Sequence, residues 1–238
     1  MRSIDVLGIR VDDVTVDEAL DFVASRIAAR APCQIATVNP EFVMAAQSDA
    51  VFRDVLSHTA LNLPDGIGVI WAARRLGRPL RERVSGVDVV ERVAQRAGRE
   101  GWKIFLLGAG EGVAQKVAEV WRSRYPGIDM AGTYGGSPRR GAEDEIVERV
   151  RAASPDVLFV AYGAPAQDIW IARNRERLIA PVAMGVGGAL DFIAGIAQRA
   201  PRWMQRSGLE WLHRLIRQPW RWRRMRALPR FAWRVLRQ

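Results

Sequence analysis

The stretch LNLPDGIGVIWAARR, residues 61–75, contains the pattern that decides the fold of this chain. An apolar run ends at Pro64, Asp65 and Gly66, which favour a turn, and apolar residues then resume at helical spacing. The stretch therefore predicts a strand, a tight turn and a helix. Two interpretations of Asp65 remain open at this point, because its carboxylate could cap the helix or stay free for chemistry at the end of the strand.

The same alternation of strand and helix patterns runs from the start of the chain to about residue 195. Further strands are predicted at QIATV (34–38), KIFLLG (103–108), DVLFVAYG (156–163) and PVAMGVGG (181–188). Strands that alternate with helices of this kind predict an α/β fold, a Rossmann-like and mostly parallel sheet with helices on both faces. The composition agrees, since 49% apolar residues in a chain of 238 can form an ordinary core.

The charge is concentrated at the C-terminal end. Residues 199–238 contain twelve arginines, no lysine and one acid, Glu210, while the rest of the chain is nearly neutral. We therefore predict two parts, an α/β core over residues 1–195 and a basic, amphipathic helical appendage over residues 196–238. Ser207 and Glu210 stand in capping-box register for one helix of this appendage.

Arginines interleaved with large apolar residues are typical of two kinds of surface. Trp220, Trp222 and Trp233 lie among the arginines of the appendage. A basic amphipathic helix with tryptophans suits an anionic membrane surface, whereas nucleic acid binding also uses arginines and aromatic residues. The apolar stripes favour the membrane, because a phosphate backbone does not require them, and we predict no nucleic acid partner.

Several classes of site are not indicated by the sequence. A lone cysteine, Cys33, cannot form an internal disulfide, and the two histidines, His58 and His213, lack neighbours suggestive of a triad or zinc site. The sequence has no acidic pair of the D-x-D type, so it predicts no metal, and it predicts no cofactor unless the glycine-rich turn at residues 108–112 binds one. It also has no signal peptide pattern and no apolar run long enough to span a membrane, so the expected location is cytoplasmic.

Polar residues and glycines follow the predicted strands and should meet at one rim of the sheet. Ligands bind outside the carboxyl ends of strands in such folds. The candidates that this rule selects are Thr37, Asn39, Asp65, Gln167, Gly188 and Asp191. Gln167 could bond a sugar hydroxyl or only begin a solvated helix, and Asp191 could bond a ribose or only cap a helix. Arg83, in a basic loop, is either a surface charge or a phosphate ligand.

The turn GAGEG, residues 108–112, resembles a dinucleotide-binding turn only in part. Val113 stands where the third glycine of the G-x-G-x-x-G pattern should be. A tight turn without a ligand, a helix N-terminus near an anionic group, and a nicotinamide or flavin site all remain open. An oxidoreductase is therefore one alternative function, and a basic scaffold without chemistry, bound to membrane or nucleic acid, is another.

Four motifs in series resemble the WecG/TagA/CpsF glycosyltransferases over nearly the whole chain. They are LPDG (63–66), RVSGVD (83–88), RAPRW (199–203) and GLEWLHRL (208–215). The resemblance implies an inverting, metal-independent transfer of an N-acetylmannosamine-type sugar. The donor would be a UDP-sugar and the acceptor N-acetylglucosamine linked to a polyprenyl diphosphate. Such enzymes serve teichoic acid, common antigen or capsule synthesis, so the resemblance places this chain at the inner face of the cell membrane as a peripheral protein.

The resemblance also implies a role for individual residues. Asp65 would be the general base, Arg83 would face the diphosphate, and Asp191 beside Gly188 would contact the nucleoside. Sugar-positioning roles fall on Thr37, Asn39 and Gln167, and phosphate contacts from the appendage on Arg214, Arg221 and Arg224. One departure is Ala166, because the family commonly has lysine there. The sequence leaves the exact sugar unspecified and a homo-oligomer open.

Overall fold

A computed structural model describes residues 2–219 and 222–238, and its centre is one six-stranded parallel sheet. The sheet strands are β3 (Cys33–Val38), β4 (Leu61–Pro64), β5 (Lys103–Gly108), β6 (Asp129–Tyr134), β7 (Val157–Ala161) and β8 (Val182–Gly185). Their spatial order is β4-β3-β8-β7-β5-β6, and each neighbouring pair is parallel. The predicted α/β fold with a Rossmann-like parallel sheet is confirmed.

A short hairpin precedes the sheet. Its strands β1 (Ser3–Val6) and β2 (Ile9–Asp12) pair antiparallel. The carboxylate of Asp12 accepts a hydrogen bond from the backbone N–H of Asn62 at 2.7 Å, which attaches the hairpin to β4.

Helices cover both faces of the sheet. They are α1 (Val16–Ala28), α2 (Pro40–Ala46), α3 (Ala50–His58), α4 (Ile67–Arg75), α5 (Gly86–Glu100), α6 (Val113–Arg124), α7 (Glu143–Ala153), α8 (Ala166–Leu178) and α9 (Ala189–Ile193), with a 3-10 turn at Arg140–Ala142. Apolar residues of α1, α5, α6 and α9 form one core cluster with the sheet, and those of α7 and α8 form another on the opposite face. Burial on both faces explains why the strands are nearly continuous apolar runs.

Side-chain caps fix where two of these helices begin. The Thr15 hydroxyl accepts from the N–H of Glu18 and the Glu18 carboxylate accepts from the N–H of Thr15, which together form a capping box. Asn39 accepts from the N–H of Phe42, and Pro40 occupies the first helical position. The second cap matters for function because it holds the chain immediately after β3.

The C-terminal segment forms separate helices that pack on the core. They are α10 (Arg202–Arg206), α11 (Glu210–Arg217), α12 (Trp222–Met225) and α13 (Ala227–Val235). Phe231 and Val235 are buried in a cluster with residues of α2, α3 and α4. The division at residues 195 and 196 stays a prediction. The expected capping box at Ser207 is wrong, because Leu209 precedes α11 without a side-chain cap and the Ser207 hydroxyl donates to the carbonyl of Trp203.

Helix length and hydropathy bear on membrane insertion. Over the part of the chain that the structure describes, no helix combines the length and the apolar character needed to cross a bilayer.

Candidate active site

The carboxyl ends of β3, β4, β7 and β8 open into one cleft with two lobes, each of about 160 Å³. Residues of the C-terminal helices α11, α12 and α13 cover the cleft. The first lobe lies toward β4 and includes Arg83, Arg199 and Glu210, and the second lies toward β8 and includes Thr37, Gln167, Gly188 and Asp191. Both lobes share Asn39, Asp65 and Arg214. All six predicted rim residues therefore line the same lobe.

Asp65 stands where the two lobes meet. Its backbone N–H donates to the carbonyl of Val38 at 2.9 Å, which ties the end of β4 to the end of β3. The next helix, α4, is preceded by Gly66 at φ +92° and has no side-chain cap. The helix-capping interpretation of Asp65 is therefore wrong, and its carboxylate faces the cleft.

The surroundings of Asp65 alter its acidity. Burial raises the pKa of Asp65 from 3.8 to about 6, and the nearby charge of Glu210 adds to that rise. Arg214, Arg83 and the N–H of Gly86 lower the pKa in part, since each stabilises the carboxylate. A carboxylate with a pKa near 6 is deprotonated at neutral pH and basic enough to accept a proton.

Gly86 contributes to the surroundings of Asp65, and it was not among the residues predicted from the sequence. Its N–H donates to Asp65, and a Cβ at this position would lie 3.0 Å from Cγ2 of Thr37 and 3.6 Å from Oδ2 of Asp65. The absence of a side chain lets α5 begin directly beside the carboxylate. The signal was present in the motif RVSGVD, where the glycine follows Ser85 immediately before a helix pattern.

Gln167 is buried and is used inside the protein. Its Oε1 accepts from the N–H of Gly163 at 3.1 Å and from the N–H of Gly187 at 2.9 Å. The interpretation as a solvated helix start is wrong. Gln167 joins the loop after β7 to the loop after β8, and through these contacts it sets the shape of the second lobe.

Asp191 lies in the first turn of α9, three residues after Gly188. Gly188 precedes that helix and no side chain caps it, so the capping interpretation of Asp191 is wrong as well. Burial raises the pKa of Asp191, and Arg214 opposes the rise. The carboxylate lies in the wall of the second lobe, where it can accept hydrogen bonds from a ligand.

An ion-pair chain holds Arg83 at the first lobe. The Arg83 guanidinium is 2.5 Å from a carboxylate oxygen of Glu210, and Arg199 is 3.5 Å from the other oxygen. Arg199 also donates two hydrogen bonds to Asp88 on α5. Glu210 is the one acid of residues 199–238, and it lies at the contact with the core. Its role was not foreseen, because nothing in the local sequence links positions 127 residues apart.

The other arginines predicted from the appendage differ in their positions and contacts. The Arg214 guanidinium lies 4.6 Å from the centre of the Phe192 ring, which holds it over the cleft beside Asp65. Arg224 forms an ion pair with Glu41 at 2.7 Å and lines the second lobe. Arg221 lies outside the described residues.

Asp168 is a second buried carboxylate near this site. It is fully buried at the start of α8, and within the described ranges neither of its carboxylate oxygens has a hydrogen-bond partner of acceptable geometry. Burial raises the pKa of Asp168 to about 7, and the Gln167 amide beside it counteracts part of the rise. No sequence pattern pointed to this carboxylate apart from its position next to Gln167.

The turn from Gly108 to Gly112 contributes to neither lobe of the cleft. Gly112 precedes α6 with φ +72° and Val113 is buried. Residues 2–219 and 222–238 contain no group of three or more His, Cys, Asp or Glu side chains arranged to hold a metal ion.

Comparisons with known proteins bear on what this cleft does. A family profile described as "Glycosyl transferase WecG/TagA/CpsF family" matches residues 4–238. The chain is 39% identical over 206 residues to the N-acetylglucosaminyldiphosphoundecaprenol N-acetyl-beta-D-mannosaminyltransferase of Bacillus subtilis, covering 86% of this chain and 79% of that one. It is 30% identical over 236 residues to the Staphylococcus aureus protein of the same name, covering 98% and 92%.

Proposed function

The chain belongs to the WecG/TagA/CpsF family of glycosyltransferases, and from this premise we propose a specific reaction. It transfers an N-acetylmannosamine-type sugar from a UDP donor to N-acetylglucosamine on a polyprenyl diphosphate, with inversion at the anomeric carbon. The observation that carries the proposal is Asp65, a base of raised pKa at the floor of the cleft between Arg83 and Arg214. The relatives' names support the acceptor and the sugar.

Asp65 acts as the general base in this reaction. Its carboxylate removes the proton from the acceptor hydroxyl at a distance of about 3 Å, while that oxygen forms a bond to the anomeric carbon. The bond from the anomeric carbon to the UDP phosphate breaks, and UDP leaves with the electron pair. One attack from the opposite face inverts the configuration, so one base suffices.

Arginines neutralise the charge that develops on the leaving diphosphate. Arg83 and Arg214 lie close enough to Asp65 to lower its pKa, and Arg224 lines the adjoining lobe. A guanidinium binds phosphate oxygens through two parallel hydrogen bonds and supplies fixed positive charge. These cations fill the role that a metal ion has in other nucleotide-sugar enzymes, so we propose transfer without a metal and without any other cofactor.

Different residues of the cleft contact different parts of the donor. Asp191 and the turn at Gly188 contact the nucleoside of the donor, and Thr37 and Asn39 orient the sugar between the lobes. Gln167 keeps the Gly163 and Gly187 loops in place around it.

The appendage brings the cleft to its lipid-linked acceptor. Trp203, Trp222 and Trp233 are each more than half exposed and lie among arginines of α10, α12 and α13. Tryptophan and arginine together suit the interface of an anionic membrane. We propose a peripheral protein at the inner face of the cell membrane that serves cell-surface polysaccharide synthesis.

UDP release measured in EDTA tests the proposal. Wild-type protein is given UDP-N-acetylmannosamine, its uronic acid or UDP-N-acetylglucosamine, with and without a short-chain lipid diphosphate N-acetylglucosamine. Acceptor-dependent release from an N-acetylmannosamine-type donor in EDTA is expected, and Asp65→Asn should reduce its rate by about 10²- to 10⁴-fold. Absence of release from every donor, with or without added Mg²⁺, would contradict the transferase and favour the scaffold. A bound nicotinamide or flavin would favour the oxidoreductase.

A further inference from the structure

A separate groove of about 380 Å³ lies beside the cleft, between α2, the loop after β7 and the helices α12 and α13. Its volume falls in the range of small-molecule pockets, roughly 300–1,000 Å³. We call it the arginine groove. The reaction described above uses one of its lining residues, Arg224, which also lines the second lobe of the cleft.

The floor of the arginine groove is apolar. Phe42 and Met44 of α2, Phe52 of α3 and Pro165 of the loop after β7 form this floor. Phe42 and Phe52 pack edge to face with ring centres 5.3 Å apart and are buried, so they form a fixed aromatic layer that supports the floor. Such a floor suits a hydrocarbon chain.

The rim of the groove is strongly basic. Arg223, Arg224, Arg226 and Arg230 line it. Arg224 is paired with Glu41, but no carboxylate of the described residues forms an ion pair with the other three. Three guanidinium groups with no acidic partner among the described residues, above an apolar floor, fit a ligand that has an anionic head and an apolar chain.

The arginine groove adjoins the second lobe of the cleft. Glu41, Phe42, Ala164 and Arg224 line both spaces. A substrate bound near Asp65 therefore lies next to the groove. This proximity favours a portion of that substrate as the occupant over an unrelated ligand.

We propose that the arginine groove binds the isoprenoid units next to the diphosphate of the acceptor, with the diphosphate held by the groove's arginines. The inference rests on the proposed function, because it assigns a place to one part of the same acceptor. It adds that the enzyme recognises the first isoprenoid units directly, and not only the sugar and the membrane.

Binding of farnesyl diphosphate to the full chain in detergent-free buffer tests the inference without requiring sugar transfer. Inorganic diphosphate and farnesol are the comparison probes, and isothermal titration measures all three. Wild-type protein should bind farnesyl diphosphate at least tenfold more tightly than either comparison probe. Equal affinity for farnesyl and inorganic diphosphate would overturn the proposal.

Two tryptophan substitutions, one at the start of α13 and one just after its end, locate the binding site. Ala227 lines the groove, so Ala227→Trp should fill it and weaken farnesyl diphosphate binding at least tenfold, with inorganic diphosphate unaffected. Leu236→Trp adds the same ring at an exposed position outside the groove and should change neither. Equal binding by both variants would place the ligand elsewhere and refute the inference.

A charge pair completes the test. Arg230→Glu should weaken both diphosphates, whereas Arg237→Glu, outside the groove, should leave them unchanged. If these binding results are not obtained but acceptor-dependent UDP release is normal, the groove assignment is wrong and the proposed transfer stands. Normal binding results without any UDP release would remove the proposed transfer and keep the groove as an isoprenyl diphosphate site.

Discussion

Replacement of Asp65 by asparagine should make the protein more stable while it stops sugar transfer. Asparagine approximates the protonated acid in shape, and its oxygen can still accept from the N–H of Gly86. The pKa of Asp65 rises from 3.8 to about 6 in the fold. Each pKa unit corresponds to about 1.4 kcal/mol, so the charged carboxylate costs the fold about 3 kcal/mol that the variant does not incur.

The pH dependence of this gain follows from the direction of the shift. Between about pH 4 and pH 6 the folded protein binds the Asp65 proton more tightly than the unfolded chain does. This group therefore lowers wild-type stability as pH rises through that window. The advantage of Asp65→Asn should be absent below pH 4, grow up to pH 6 and stay constant above it.

Urea unfolding at pH 4, 6 and 8 measures the stability, and UDP release measures activity. Loss of a general base should reduce kcat by about 10²- to 10⁴-fold. Asp156→Asn serves as a control on a carboxylate that lies outside the cleft and pairs with Arg30 at 2.7 Å. A variant that is less stable at pH 8, or a gain that does not vary with pH, would refute the burial argument. Wild-type kcat would refute the base assignment.

Three further substitutions test the electrostatics of the Asp65 and Asp168 carboxylates. Arg214→Gln removes the largest charge that lowers the pKa of Asp65, so the acidic limb of the kcat/KM profile should move to higher pH; an unchanged limb would separate Arg214 from the base. Glu210→Gln removes a negative charge that raises the same pKa, so the limb should move to lower pH, and a shift in the other direction would contradict the ion-pair description. Asp168→Asn should stabilise the protein at pH 8 by up to about 4 kcal/mol and have little effect at pH 4, because burial raises the pKa of Asp168 to about 7. Thermal unfolding at the two pH values checks it, and equal effects at both would mean that the carboxylate is not buried in its charged form.

Local sequence signals predicted most of the secondary structure and the rim of the site. Caps at Thr15 and Asn39 and the turn at Asp65 are short-range features, readable from side-chain type and spacing. The rule that ligands meet strand ends then placed Asp65 and Asp191 on one rim, and the structure brings both to one cleft.

The remaining features depend on contacts that no local pattern encodes. Glu210 forms an ion pair with Arg83, which lies 127 residues earlier in the chain. Gln167 accepts a hydrogen bond from the N–H of Gly187, which lies 20 residues later. A glutamine at a helix start looks the same in sequence whether solvent or two loops surround it. The apolar stripes of the appendage were predicted from the sequence. The burial of Phe231 against α2 could not be predicted, because no local pattern shows which part of the core α13 packs on.

The position of β8 between β3 and β7 has a consequence for how the protein folds. Strands β3 and β4 pair within residues 33–64, and strands β5, β6 and β7 pair within residues 103–161, so each half of the sheet forms from nearby chain. Among the strands of residues 2–219 and 222–238, β8 alone hydrogen-bonds to both halves. Closing a loop of about 150 residues between β3 and β8 carries an entropic cost that local pairing does not, which delays this joint. Because the cleft lies over that joint, the residues after β3 and β4 meet those after β7 and β8 only when β8 pairs, so the complete active site forms late in folding.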